Sequence, residues 1–205
     1  MRKPQDHNGS RRRSLLPLAQ AARKRLAWLE GPLTLRDGVI VYVRAIHAND
    51  IARLREFHAR QSAETIISRF FHYMPTLSLA AAEHFTHVDY KDRMALLVTQ
   101  GTGTDEPILG VVRYDRIGPQ RAEIAFVIDG LWQGHGIATA LLHRLAAYAR
   151  TRTITQFVAI TTGANSRMLE VLRNAGYPES VSFASGEATV TLDISSPAEG
   201  EPTLR

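Results

Sequence analysis

One junction constrains this chain more than any other feature. A run that alternates apolar and other residues, 122–129, gives way after a short loop to Gln133-Gly134-His135-Gly136-Ile137-Ala138. Ile137, Leu141, Leu142, Leu145 and Tyr148 then recur at helical spacing to about Thr151. A strand is therefore expected to turn into a helix through two glycines. Such a helix start presents unpaired N–H groups and about half a positive charge. Gly134, Gly136 and Ala138 leave little side-chain bulk over those donors, so a phosphate or pyrophosphate could rest on the backbone. The same spacing also suits a plain tight turn that merely starts the helix. It is not the dinucleotide fingerprint, because the third glycine is missing, and no Gly-Lys-Ser/Thr follows as in a Walker loop.

The rest of the chain sets this junction in a mixed α/β (α+β) sheet domain. Strands are expected at 39–46, 94–99, 107–114, 122–129, 156–160, 181–183 and 188–194. Helices are expected after Asn49 or Asp50, from Ser62 to about Phe71, over 78–85, from Gly136 to Thr151, and from Asn165 to Asn174. Ala175-Gly176 should end the last helix in the left-handed manner. Gly31-Pro32 separates an N-terminal arm, residues 1–30, from a body over 31–194. The tail 195–205 is rich in Pro, Ser and Glu and reads as disordered.

Composition excludes several chemistries. The chain of 205 residues has no cysteine, so thiolate nucleophiles, disulfides and thiolate zinc sites are ruled out. The net charge of +5 belongs to the arm, where residues 1–30 hold eight basic and two acidic side chains. The body is close to neutral, which argues against a specific nucleic-acid surface; the arm could touch an anionic surface or partner. Leu15, Leu18, Ala22, Leu26 and Leu29 allow a short amphipathic helix there, and a solvated, partly disordered extension fits equally. Arg11-Arg12-Arg13 precedes an apolar stretch too short and too interrupted for an export signal, so a cytoplasmic location is expected. His84, His87 and Asp89 suggest a metal site only weakly, and no metal is assigned.

Two ordered motifs carry a family resemblance. Gln133-x-x-Gly136-x-Ala138 after a strand resembles motif A of the GNAT superfamily of acyl-CoA N-acyltransferases, and Asn165-Ser166-Arg167-Met168-Leu169 through Ala175-Gly176-Tyr177 resembles motif B. Ser68-Arg69-Phe70-Phe71, Phe85-Thr86-His87-Val88-Asp89-Tyr90, Arg93-Met94-Ala95-Leu96 and Ala122-Glu123-Ile124-Ala125-Phe126 are similar to the acetyltransferase domain of Pat-like bacterial protein lysine acetyltransferases. The resemblance implies a GNAT fold: one twisted, mostly antiparallel sheet of six to seven strands flanked by about four helices. It implies acetyl-CoA as co-substrate and no metal. Gln133, Gly134, His135, Gly136, Ile137 and Ala138 would cradle the pyrophosphate. Ala125, Phe126 and Val127 would pair with the pantetheine like an added strand, and Asn165, also a natural helix cap, would lie near that arm. The acceptor implied is a protein lysine, with acyl-CoA synthetases among the proteins to test. The cyclic-nucleotide-binding or synthetase-like domain often fused in that family would not fit in the 38 residues before Val39.

Acetyl transfer to lysine raises an acid–base problem. At pH 7.4 only about one lysine in a thousand is neutral, and a positioned base contributes roughly 10² to 10⁴ in rate. Glu123 is the candidate, since alternation turns it away from Ala122, Ile124 and Phe126; the matching glutamate is the base in the Pat-like family. A strand N–H near Phe126 or Val127 could stabilise the oxyanion. Many GNAT members carry a tyrosine acid seven residues beyond the motif B asparagine, where this chain has Leu172. Tyr177 is the fallback, with packing the plainer role. Small-amine acetylation, a non-catalytic acyl-CoA sensor, and a module tethered to a membrane or nucleic acid through the arm remain the rival readings.

Overall fold

The computed structural model describes residues 26–103, 105–199 and 201. Most of the basic arm and the end of the tail lie outside them. Eight strands form one sheet: β1 Gly31–Thr34, β2 Ile40–Ala45, β3 Arg93–Thr99, β4 Ile108–Arg116, β5 Arg121–Ile128, β6 Gln156–Thr162, β7 Glu179–Ala184 and β8 Glu187–Asp193. Their order is β1-β2-β3-β4-β5-β6-β8-β7. Every pairing is antiparallel except β5 with β6. Five helices are described: α1 Ile51–Ala59, α2 Ala63–Phe70, α3 Leu79–Thr86, α4 Ile137–Arg150 and α5 Ser166–Arg173. This is the expected fold with one strand more than anticipated; the five helices are those the residue patterns predict, where the resemblance implied about four. The additional strand is β1, where Gly31-Pro32 opens a strand paired to β2 rather than a linker.

The sheet is covered on both faces, and β3 shows why. Met94, Leu96 and Val98 join the cluster beneath α4 and α5, whereas Ala95 and Leu97 join the cluster beneath α1 and α3. A strand that is apolar at every position from Met94 to Val98 must be buried on both faces. At roughly 25 cal/mol per Å² of apolar surface, these two layers dominate the stability.

Local signals fix the helix ends. Ser62 and Ser78 cap α2 and α3 by accepting from Thr65 N and Ala81 N. Asp50 departs from the expected cap role. Its carboxylate is buried and takes Arg44, Arg53 and the His47 N–H instead. Two expected boundaries also shift. Leu26 and Leu29 are buried in the main core, so the folded body begins before residue 31. The described part of the tail, 195–199 and 201, is held rather than disordered, because Glu201 receives Arg150, the Tyr177 hydroxyl and the Ala198 N–H.

Candidate active site

The single parallel pairing creates the site. β5 and β6 are joined only from Arg121↔Gln156 to Ile124↔Ala159, although β5 continues to Ile128 and β6 to Thr162. Each strand keeps its outer neighbour to its end, β4 for β5 and β8 for β6. The sheet therefore opens into a slot between two parallel strands. Four residues of β5 edge it, about 13 Å at the usual rise per residue. α4 crosses over from β5 to β6, so its N-terminus stands at the open mouth, at the carboxyl ends of both strands, where open sheets bind ligands.

The pleat decides which backbone groups face the slot. Asp129 N–H donates to Leu109 O at 2.9 Å, at the end of a β4–β5 ladder with no register shift. Counting back by twos, Val127 and Ala125 also turn their N–H and C=O to β4. Phe126 is left facing the slot, together with the Ile128 N–H; the Ile128 carbonyl accepts from Gln133 Nε2 at 3.1 Å. The same count from Ile194 N–H to Thr155 O puts Ile160 on the opposite edge. The expected trio Ala125, Phe126 and Val127 is thus narrowed. Phe126 offers the donor and acceptor, while Ala125 and Val127 contribute side chains to the face they share with Glu123.

At the mouth, the glycines have a sharper reason than low bulk. Gly134 has φ 84° and Gly136 has φ 89°, the left-handed region that side chains disfavour. Ala140 N–H closes on Gly136 O, and the N–H groups of Ile137, Ala138 and Thr139 find no acceptor among the described residues. Two outside elements hold this loop. The side-chain Oε1 of Gln133 accepts from Arg167 Nη1 of α5 at 2.9 Å. The turn between β1 and β2 leans on the other side: Arg36 N–H donates to His135 O at 3.4 Å, and Asp37 Oδ2 lies 2.8 Å from His135 Nδ1. The Val39 N–H, together with His135, holds the Asp37 carboxyl below its ordinary range. Arg36 lies alongside Gly136, where an added Cβ would stand 3.4 Å from its Nε. Sequence reasoning reads Asp37-Gly38 only as a turn and misses Arg36. The chain separation is 100 residues, and no local pattern signals the contact.

Asn165 caps α5, its Oδ1 accepting from Met168 N at 3.1 Å while its Nδ2 donates to Thr161 Oγ1. It stands just past the end of β6, beside the mouth. Leu172 is fully buried. The Tyr177 hydroxyl donates to Glu201 Oε2 at 2.7 Å, and burial followed by that carboxylate pushes its pKa up. Glu201 also takes Arg150, the last residue of α4. The helix has 14 residues, so that end lies about 20 Å from the glycine loop. Tyr177 is spent on packing and on the tail.

At the closed end the residues are charged. Glu123 is exposed, stands opposite Asp115 in the ladder, and makes no hydrogen bond or ion pair among the described residues. Asp115 is shared by Arg93 at 2.9 Å and Arg113 at 3.0 Å. Burial raises its pKa, but the two guanidinium groups outweigh that and hold it below the ordinary carboxylate value. His84, His87 and Asp89 do not gather into a ligand cluster; Asp89 Oδ1 instead accepts three backbone N–H groups of the following turn. No helix among the described residues is long and apolar enough to cross a membrane.

Comparison with known proteins agrees with this geometry. Residues 41–178 match the family model described as an acetyltransferase (GNAT) domain. The chain is 29% identical over 164 residues to the acetyltransferase Pat of Mycolicibacterium smegmatis, covering 78% of this chain and 48% of that protein. It thus spans about half the length of that relative. The crystal structure of the GNAT domain of S. lividans PAT superposes with a TM-score of 0.75 at 37% identity, over 82% of this chain and 98% of that one. Spermidine N-acetyltransferase from Vibrio cholerae, solved with CoA and spermine, shares the fold at TM-score 0.57 and 19% identity, over 76% and 96% of the two chains. By its splayed parallel pair, its glycine loop and its match to the family model, the chain belongs to the GNAT acetyltransferase domain family.

Proposed function

We propose that the chain transfers acetyl from acetyl-CoA to an amine, a protein lysine in the first instance, by direct attack in a ternary complex. The observation that carries this reading is the slot between β5 and β6, with unpaired backbone along its edge and unpaired helix donors at its mouth. A pyrophosphate on residues 133–138 neutralises the positive end of α4, with Arg36 as a second cation beside Gly136. The pantetheine then runs down the slot as a strand substitute, donating to the Phe126 carbonyl and accepting from the Ile128 N–H, which leaves the Phe126 N–H free for the reacting carbonyl. On this reading the thioester stands at the closed end, one residue from Glu123.

Glu123 takes the proton that the attacking ammonium must lose, directly or through water. The Phe126 N–H donates to the oxyanion. The departing thiolate of CoA is a good leaving group, with a thiol pKa near 8.5, so the lack of a tyrosine at Leu172 does not block collapse of the intermediate. The likeness to Pat, together with an exposed rather than enclosed Glu123, favours a protein substrate.

Calorimetric titration with acetyl-CoA, with desulfo-CoA and NADH as controls, tests the cofactor assignment. Micromolar binding of acetyl-CoA without NADH heat is expected. A folded chain that binds none overturns the reading. Peptide lysines from acyl-CoA synthetases are the first acceptors to assay.

A further inference from the structure

We infer that the groove beside Glu123 contains a carboxylate-binding subsite formed by Arg69 and Arg113. The inference rests on the acyl-CoA reading above and names a chemistry that reading does not supply. On the α1–α3 face of the sheet a pocket lies between Val127 and the helices; most of its wall is apolar, Leu77 and Phe85 included, and its polar lining is Arg69, Arg113, Gln61 and His58, whose Nε2 is already held at Met74 O. Arg113 stands opposite Ala125 in the ladder, so the pocket adjoins the closed end of the slot.

Three observations point to an anion. Arg113 is only 6% exposed, and its Nη2 is closed off from solvent with no hydrogen-bond partner among the described residues. Its other engagements are one bond from Nε to Asp115 and the Phe85 ring, 4.6 Å from its guanidinium carbon. A buried guanidinium donor left unpaired is costly, and a ligand acceptor removes that cost. Second, Arg69 faces the same space, and among the described residues its guanidinium makes no hydrogen bond or ion pair and packs on the Phe70 ring at 4.8 Å. Third, the charges do not balance. Asp115 is already divided between Arg93 and Arg113, and Arg69 is left to share the field of Glu123 without an ion pair. Burial, followed by the Arg113 charge, lowers the Arg69 pKa to about 10 although Glu123 and Asp115 act against it, and neither carboxylate forms an ion pair with Arg69 among the described residues. A ligand carboxylate satisfies both arginines, and the planar guanidinium fork matches it.

The pocket holds one further orphan. Gln61 Nε2 donates to Phe57 O at 2.8 Å, and its Oε1 is buried without a donor. An acceptor that carries an N–H or O–H beside its carboxylate fills both needs; a dicarboxylic acyl group fills only the arginines. The carboxylate therefore arrives either on the acyl group or on the amine acceptor.

Matched pairs separate the two sources. Calorimetry of the full chain compares succinyl-CoA with butyryl-CoA, equal in chain length and different in terminal charge. Steady-state assays with acetyl-CoA compare an amino acid bearing a free carboxylate with its amide. In at least one pair the carboxylate member is expected to lead by about tenfold or more in affinity or kcat/KM, as a charge-assisted hydrogen bond implies. Arg69→Gln and Arg113→Met should each cut that lead to within about twofold while acetyl-CoA affinity holds. If the lead appears only in the first pair the source is the acyl group; if only in the second, the acceptor. Carboxylate and neutral members within twofold in both pairs overturn the subsite, as does a lead that survives both substitutions. A folded chain that binds no acyl-CoA is a different failure: it overturns the acyl-CoA reading, and the subsite falls with it.

Discussion

The two ends of the slot are built from different materials. The mouth is backbone: two left-handed glycines, unpaired N–H groups and a helix dipole, contained in residues 133–139 and braced by the β1–β2 turn. The closed end is side chain. Glu123 and Asp115 come from adjacent strands, Arg93 and Arg113 from β3 and β4, and Arg69 from α2. A backbone site binds what every acyl-CoA shares, whereas a side-chain site can select and activate the groups that differ. Changes at the closed end should therefore strike turnover and selectivity, and changes at the mouth should strike affinity.

The largest expected effect is Glu123→Gln. It should lower kcat/KM by roughly 10² to 10⁴ through loss of the base, while calorimetry gives an acetyl-CoA Kd within twofold of the unmodified chain. Full activity in the glutamine variant would remove Glu123 from the chemistry. Next comes Gly136→Val at the mouth. A left-handed φ costs a side chain about 1–2 kcal/mol, and this Cβ would stand in contact with Arg36, 3.4 Å from its Nε. Acetyl-CoA affinity should fall about tenfold, with kcat at saturation much less affected. If kcat falls instead and Kd holds, the two ends are not separable as described.

That separation also explains what the sequence could reveal. The mouth is contiguous in the chain, so Gly134, Gly136 and the apolar period from Ile137 announce it without the fold. Strand alternation placed Glu123 correctly opposite the face of Ile124 and Phe126, because period two is local. What stayed hidden depends on pairing between distant segments. Nothing in residues 122–129 says that β6 leaves β5 after Ile124, so the trio Ala125, Phe126 and Val127 could not be narrowed to Phe126. Arg36 and Arg113 look like ordinary surface arginines in sequence, and only the ladder and the helices above it bury Arg113. The contacts of the described tail residues were hidden for a similar reason, since the composition of 195–205 is that of a disordered segment while Ala198 reaches the core and Glu201 meets Arg150 and Tyr177.

A smaller effect tests the brace at the mouth. Arg36→Met should weaken acetyl-CoA about threefold to tenfold at low ionic strength, the loss of one charge-assisted contact to phosphate. The loss should shrink as salt is raised, because exposed charges are screened within about 10 Å at 0.1 M. kcat should not change. A weakening that is independent of salt would assign Arg36 to loop geometry rather than to phosphate binding.

The smallest effect on turnover, and none at all if the geometry holds, belongs to Tyr177→Phe. The hydroxyl is committed to Glu201, near the far end of α4, so kcat and the alkaline limb of the pH–rate profile should stay within twofold. Stability should respond instead. Burial raises the Glu201 pKa, but bonds from Arg150, Tyr177 and the Ala198 N–H outweigh it and hold the folded carboxyl below its ordinary value. A carboxyl lowered on folding stabilises the protein above its unfolded pKa, and that contribution is lost as pH falls through the folded pKa. Removing the tyrosine donor moves the folded value back up. The variant should therefore lose about 1 kcal/mol at neutral pH, and the acid-dependent part of its stability should be smaller and fully lost at a higher pH than in the unmodified chain. Thermal melts from pH 7 to pH 3 read both. A drop in kcat with unchanged melts would return Tyr177 to the catalytic end and overturn the assignment of its hydroxyl to the tail.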